Sequence, residues 1–125
     1  MSGKHLLLVE DDYEFRQILV ENLFDAGFLV AEAKDGDQAI DILAKLGPLD
    51  ILVTDIEMPS HCDGNEVAME AKRHHPDVTV VYISGRPESL TNRLGPHDVF
   101  LDKPFTSARM IFEIKRLLDG TETHV

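Results

Sequence analysis

The chain has 125 residues, 43% hydrophobic and 28% charged, enough for one domain with a real core and too few for two. Its 12 basic residues against 23 acidic ones give a formal charge of -11 at pH 7, which argues against direct nucleic-acid binding, because such surfaces carry a basic patch. No apolar run approaches the ~20 residues of a membrane span, no signal-peptide pattern precedes the first apolar run, and the single Cys62 cannot close an internal disulfide. The expectation is a cytoplasmic protein with no membrane partner.

Short apolar runs alternate with amphipathic stretches, the pattern of a βα repeat around a parallel sheet. Residues 5–10 form the first predicted strand. Asp12 then caps a helix reaching Ala26, with Phe15, Ile18, Leu19 and Leu23 expected on its inner face and Gly27 as its stop. Residues 28–33 are the second strand. Gly36 opens a turn into a helix through Leu46, with Ile40, Leu43 and Ala44 inward and Gly47-Pro48 ending it.

Residues 51–54 are the third strand, followed by a loop of turn formers, 57–64. The third helix spans 66–75 and stops before Pro76. Residues 78–83 are the fourth strand. The stretch 87–94 has room for only about two turns of helix before Gly95-Pro96 breaks it. A short fifth strand, 99–101, precedes a last helix, 107–118, with Ala108, Ile111, Ile114 or Lys115, and Leu118 at helical spacing. Residues 120–125 have no apolar period and are expected to fray.

Four strand ends carry the chemistry. The first runs into Glu10-Asp11-Asp12, the third into Asp55, the fourth into Ser84-Gly85 and the fifth into Asp102-Lys103-Pro104. Alone, each has a plain reading: Asp55 or Ser84 opens a turn, Asp12 caps a helix, Asp102 is solvated. Parallel strands with right-handed crossovers put every carboxyl end on one edge, and ligands of open sheets sit there, where the winding reverses. The flavodoxin-like order 2-1-3-4-5 places Glu10 and Asp11 beside Asp55, with Ser84 and Lys103 beyond. Crowded carboxylates raise a pKa or bind a cation, and hard oxygen ligands without a Cys/His set suit Mg2+. Lys103 adds a mobile positive charge and Ser84 a donor. A metal, a nucleophilic carboxylate, a lysine and a hydroxyl are the parts that phosphoryl transfer requires.

Together these residues resemble the receiver domains of two-component response regulators, single-domain and chemotaxis-regulator-like. The likeness covers residues 6–118 and rests on Val9-Glu10-Asp11, Asp55-Ile56-Glu57-Met58-Pro59, Asp63-Gly64, Ile83-Ser84-Gly85 and Asp102-Lys103-Pro104-Phe105. It implies an α/β fold, a (βα)5 doubly wound sandwich on a five-stranded parallel sheet, forming one domain over 1–125. It implies Asp55 as phosphoacceptor, served by a histidine kinase or a histidine phosphotransfer protein. Mg2+ would be held by the Asp11 and Asp55 side chains and the Glu57 backbone carbonyl, with Glu10 acting mainly through water. Ser84 would be the switch hydroxyl, Lys103 the phosphate contact with a cis bond to Pro104, and Phe100 the switch aromatic, though Phe100 also reads as plain packing.

Two departures stand out. The interval from Ser84 to Lys103 is short for the family, so the fourth helix is expected to be shortened and the usual dimer surface altered, leaving a monomer or weak dimer. The loop 60–64 is one residue longer than usual. Nothing follows Val125, so no output domain is expected, although a receiver cut from a hybrid kinase would read the same. Two other classes remain. An aspartate-dependent phosphatase would need an acid two residues past its nucleophile, where Glu57 stands, but no cap insertion exists. A binding module without the switch would not need Asp55, Asp11 and Lys103. His61, His74 and His75 show no i, i+4 ligand pair, and Cys62 sits among acids, which disfavours a thiolate.

Overall fold

The computed structural model describes residues 3–119; the expected frayed tail, 120–125, lies outside them. The elements are β1 (His5–Val9), α1 (Tyr13–Asp25), β2 (Leu29–Ala33), α2 (Gly36–Lys45), β3 (Ile51–Asp55), α3 (Gly64–His74), β4 (Thr79–Ser84), β5 (Asp98–Asp102) and α4 (Ser107–Asp119). The five strands are parallel in the order β2-β1-β3-β4-β5, as expected. β1 therefore lies against β3 at the reversal of winding, with Leu8 opposite Val53 and Val9 opposite Thr54.

β1, β3 and β4 are covered on both faces, which explains their nearly unbroken apolar sequences. Strand alternation divides their side chains between two cores. Leu7, Val9, Leu52, Val80 and Tyr82 pack with Ala39, Leu43, Val67, Ala68 and Ala71 of α2 and α3. Leu6, Leu8, Ile51, Val53, Val81 and Ile83 pack with Leu19, Leu23, Met110 and Ile114 of α1 and α4. Each fully buried leucine contributes roughly 1.5–3 kcal/mol by leaving water.

Helix entry follows the caps. Asp12 accepts from the Phe15 N–H at 3.1 Å, Asp35 from that of Gln38 at 2.8 Å, and Asp63 from that of Glu66 at 3.1 Å. Glu66 returns the bond to the Asp63 N–H at 3.0 Å, a capping box that starts α3 at Gly64, two residues earlier than its sequence periodicity suggests. Two inward assignments fail. Ile18 is 55% exposed, because the stripe of α1 centres on Leu19 and Leu23, and Ala44 is exposed while Ala39 and Leu43 face the core. In α4 the inner face is Met110 and Ile114, with Ile111 and Leu118 half-buried and Ala108 and Lys115 outside.

The fourth helix of the expected (βα)5 pattern is more than shortened: a single 3-10 turn, Pro87–Ser89, is all that remains. Residues 85–97 otherwise cross from β4 to β5 as irregular chain. Their backbone groups find side chains instead of a helical ladder. The carboxamide oxygen of buried Asn65, on α3, accepts from the Thr91 and Asn92 N–H groups at 3.0 and 3.1 Å, and its Nδ2 donates to the Ser89 carbonyl at 2.9 Å. Asn92 answers with bonds to the Asn65 carbonyl and the Tyr82 hydroxyl at 2.9 and 3.1 Å.

At the far end, the buried Asp98 carboxylate accepts from the Gly95 N–H at 2.6 Å and from Lys72 at 2.7 Å. Asp98→Ala is expected to cost about 2–3 kcal/mol, because it strands the Gly95 N–H, while the partly exposed ammonium of Lys72 can turn to water. Asp98→Asn keeps an acceptor and should lose about half as much. Urea unfolding checks both; an unchanged midpoint for the alanine variant would remove Asp98 as the anchor of this crossover.

Candidate functional site

Strand geometry delivers the acids. The Glu10 N–H continues the β1–β2 ladder by donating to the Ala33 carbonyl at 3.1 Å, which fixes the direction of Glu10 just past the strand. Its side chain is 1% exposed, with Oε2 accepting from the Asp12 N–H at 3.0 Å. Arg16 donates to the Glu10 carbonyl at 2.8 Å and to Glu32 at 3.0 Å, bracing this corner. Asp55 closes β3 and is 3% exposed, held in place by the Ile56 N–H, which donates to the Ile83 carbonyl at 2.9 Å.

Lys103 arrives from the other side. Its N–H donates to the Ser84 carbonyl at 2.9 Å, and its ammonium reaches back to Asp55 Oδ2 at 3.1 Å and to Glu10 Oε1 at 3.7 Å. The ammonium also lies 5.5 Å from the centre of the Phe15 ring. The Lys103–Pro104 bond is cis, as the resemblance implied. The N-terminus of α3 presses on the same strand end, with the Gly64 N–H donating to the Ile56 carbonyl at 2.9 Å. A Cβ on Gly64 would run into the Asp55 carbonyl oxygen and lie 2.7 Å from Ile56 Cα. Glycine at this position is therefore a packing requirement. Gly36 is held in the same way against the Cys62 carbonyl, which seats the β3–α3 loop on α2.

Glu10, Asp11 and Asp55 each offer an oxygen within 4.8 Å of the others, the one such grouping of possible ligands among the described residues. Burial raises the Glu10 pKa from 4.5 to about 7, against the Asp12 N–H bond and with help from the Asp55 charge. Burial also raises that of Asp55, opposed by Lys103. Burial works against the Lys103 ammonium, but Asp55 and Glu10 outweigh it and hold its pKa above the ordinary value. One lysine does not satisfy the acids. Glu10 Oε1 and Asp55 Oδ1 are buried with no hydrogen-bond partner, the situation a hard divalent cation relieves.

The other expected site residues sit differently. Ser84 is fully buried at the end of β4, yet its hydroxyl donates to Glu57 Oε2 at 2.6 Å. The bond between the Glu57 side chain and Ser84 was not anticipated; the sequence reading gave Glu57 a metal contact through its carbonyl and, in the phosphatase alternative, the place of the second acid. Burial opposes its charge, but the bond from Ser84 prevails and holds its carboxyl below the usual range. Phe100 is half-buried against the α2–α3 core. Burial and the nearby Glu66 push the Cys62 thiol up to about 11, and His74 bonds Glu70 at 3.0 Å on the helix surface. A cavity of about 610 Å³ lies by Lys4, Gly27 and Lys115, at the opposite edge of the sheet from these residues.

This geometry can be set beside known proteins. Residues 6–115 match the sequence profile of the response regulator receiver domain. The chain belongs to the response regulator receiver family. It is 36% identical over 118 residues to the response regulator receiver protein CpdR of Brucella abortus, covering 92% of this chain and 97% of that protein. It is also 36% identical over 118 residues to the sensor kinase CckA of the same organism, but spans only 12% of that protein's length and 91% of its own. The crystal structure of a receiver protein from Sinorhizobium medicae superposes with a TM-score of 0.86 at 34% identity, covering 94% of this chain and 95% of the other. The family function is phosphorylation-dependent signalling, and no described helix of this receiver is long and apolar enough to cross a membrane.

A pH dependence follows from the acid cluster of the receiver. Without metal, the raised Glu10 pKa means that the folded state holds more protons than the unfolded one between about 4.5 and about 7. Stability from this group is present below the unfolded pKa and is lost as pH rises through about 7. A divalent cation held at Glu10, Asp11 and Asp55 would compete with that proton, so Mg2+ affinity is expected to rise by up to about tenfold per pH unit below 7 and to level off above. Titration calorimetry at pH 5.5, 6.5 and 7.5 checks this; an affinity independent of pH would mean that Glu10 is charged throughout.

Proposed function

We propose that Asp55 accepts a phosphoryl group from a histidine kinase or a histidine phosphotransfer protein, and that the receiver signals through the resulting change in its surface. The pairing that carries this reading is an unpartnered Asp55 Oδ1 beside an Oδ2 held at 3.1 Å by Lys103. One oxygen is oriented by a cation; the other is free to attack phosphorus.

Asp11 and Asp55 would hold Mg2+ through their side chains, Glu57 through its backbone carbonyl and Glu10 through water. Bound there, the ion neutralises charge on the transferring group. Lys103 is placed to follow a phosphoryl oxygen, and Ser84 to donate to another. Each such charge-assisted bond is worth roughly 1.5–3 kcal/mol, enough to shift a two-state balance about ten- to a hundredfold. Phe100, half-buried between core and surface, is suited to change its packing with that balance. We read residues 1–125 as one receiver domain, cytoplasmic, acting as a monomer or weak dimer. It assists its own phosphorylation rather than turning over a substrate. A phosphatase would need Glu57 as a proton donor, and that carboxylate is instead tied up as an acceptor from Ser84.

Incubation with Mg2+ and acetyl phosphate, followed by intact mass, should show one phosphoryl group per chain. No adduct, or steady hydrolysis of small phosphate esters, would overturn the reading.

A further inference from the structure

We propose that Phe15 is a positioning residue for Lys103: its ring holds the ammonium beside Asp55 through a cation–π contact, and Phe105, in the β5–α4 loop, braces the ring. The inference rests on the phosphoacceptor reading and names what steers the lysine of that site.

The ammonium of Lys103 has acids and an aromatic ring as neighbours. It lies 3.1 Å from Asp55 Oδ2, 3.7 Å from Glu10 Oε1 and 5.5 Å from the Phe15 ring centre, inside the ~6 Å at which a ring face attracts a cation. Both ends of the contact are fixed by backbone. The Phe15 N–H donates to Asp12 Oδ1 at 3.1 Å in the first turn of α1, and the Lys103 N–H to the Ser84 carbonyl at 2.9 Å. The Phe105 ring meets that of Phe15 at a centroid distance of 5.8 Å and an angle of 60°, a tilted pairing that aromatic rings favour. Further along α1, Asn22 Nδ2 donates to Ser107 Oγ at 2.8 Å, which ties the helix carrying Phe15 to the segment carrying Phe105.

Carboxylates alone do not keep this ammonium in place through the reaction. Asp55 Oδ1 bonds phosphorus while the bond from phosphorus to the donor oxygen breaks, and the donor leaves with that electron pair. Asp55 then has no free charge to offer its ionic partner. Glu10 and Asp11, once engaged with a divalent cation, pull on the lysine less. The attraction of a ring face depends on neither. It comes from a whole face rather than a lone pair, so the ammonium can pass from Asp55 Oδ2 to a phosphoryl oxygen, keeping its proton, without leaving the ring. Phe15 also packs against the core between α1 and α4, and a leucine would serve that purpose. The two roles part at the lysine.

Fluorination at position 15 separates them, because mono-, tri- and pentafluorophenylalanine drain the ring face stepwise at nearly constant shape. Acetyl phosphate with Mg2+ is the donor, since a small molecule has no protein surface to dock. Adduct formation should slow along this series. It should be about fivefold slower with pentafluorophenylalanine and in Phe15→Leu, and about twofold slower in Phe105→Leu, as expected for a cation–π contact at a partly exposed ammonium. Mg2+ affinity by calorimetry should stay within about twofold throughout, since no carboxylate is altered. In the metal-free protein, NMR should find the Lys103 Hε protons shifted upfield by the ring current. That shift should vanish in Phe15→Leu and persist in Phe24→Leu, a control on the exposed face of α1. A rate that is flat across the fluorinated series overturns the proposal and leaves Phe15 as packing. So does an unshifted Lys103, or a Mg2+ affinity that falls with the rate. A wild type that takes up no phosphoryl group counts against Asp55 as the acceptor, and the Lys103 shift still decides the contact.

Discussion

Asp55→Asn is expected to take up no phosphoryl group from acetyl phosphate and Mg2+, and yet to unfold at a higher temperature than the wild type in EDTA. The first effect is complete because an amide oxygen is not a nucleophile toward phosphorus at neutral pH, and no neighbour replaces it. Glu10 accepts from Asp12, Asp11 is exposed at the rim, and Glu57 is engaged by Ser84. The second effect has the opposite sign. Asp55 is buried at 3% exposure beside Glu10 and Asp11, and burial already raises its pKa, so its charge is a cost to the metal-free fold. Asparagine removes that charge and keeps an acceptor for the Lys103 ammonium. Relief of roughly 1 kcal/mol would raise Tm by about 3–6 °C in a domain of this size. Mg2+ stabilises the wild type by mass action, so its addition should narrow or invert the gap. A lower Tm for the asparagine variant in EDTA would mean that the Lys103 pair outweighs burial. An adduct that survives the substitution would move the acceptor elsewhere.

The parts of this site legible in the sequence are those fixed by strand ends. The apolar runs before Glu10, Asp55, Ser84 and Lys103 announce strands, and one handedness of crossover sends all four ends to one edge. Nothing more was needed to bring Lys103 to Asp55 across 48 residues. What stayed hidden is side-chain bonding without a period. Asn65 falls between the predicted loop and the predicted third helix and carries no signal of its own, yet it accepts the N–H groups that a fourth helix would have used internally. Glu57 and Ser84 are 27 positions apart, and no spacing rule pairs a loop carboxylate with a strand-end hydroxyl. Asp98, just before the predicted fifth strand, gave no sign of being a buried anchor for Lys72. Ile18 shows the limit of periodicity itself, since a short helix admits two neighbouring stripes and only packing chooses between them.

Gly64→Ala should give a large loss of stability from a single methyl group. Helix propensity alone predicts the reverse, because alanine is better than glycine inside a helix by about 1 kcal/mol. Contact geometry overrules it. The added Cβ would meet the Asp55 carbonyl oxygen and stand 2.7 Å from Ile56 Cα, both of them backbone atoms at the end of the central strand. Neither can retreat without loosening the Ile56 N–H bond to Ile83 at 2.9 Å or the Gly64 N–H bond to Ile56 at 2.9 Å. Overpacking of this kind costs typically 1–3 kcal/mol, and backbone on both sides puts this case at the upper end, for a net loss of about 2–3 kcal/mol in urea unfolding. The same shift tilts Asp55 away from Lys103 and its acidic neighbours, so adduct formation should slow by at least about tenfold, as a misplaced reacting group does. Gly47→Ala is the matched control, with nothing within 4 Å of its Cβ, and should be neutral or gain a few tenths of a kcal/mol. If the Gly64 variant were as stable as the Gly47 one, α3 would have to slide freely on β3. The Asp55 carboxylate would then not be held by the packing of that helix.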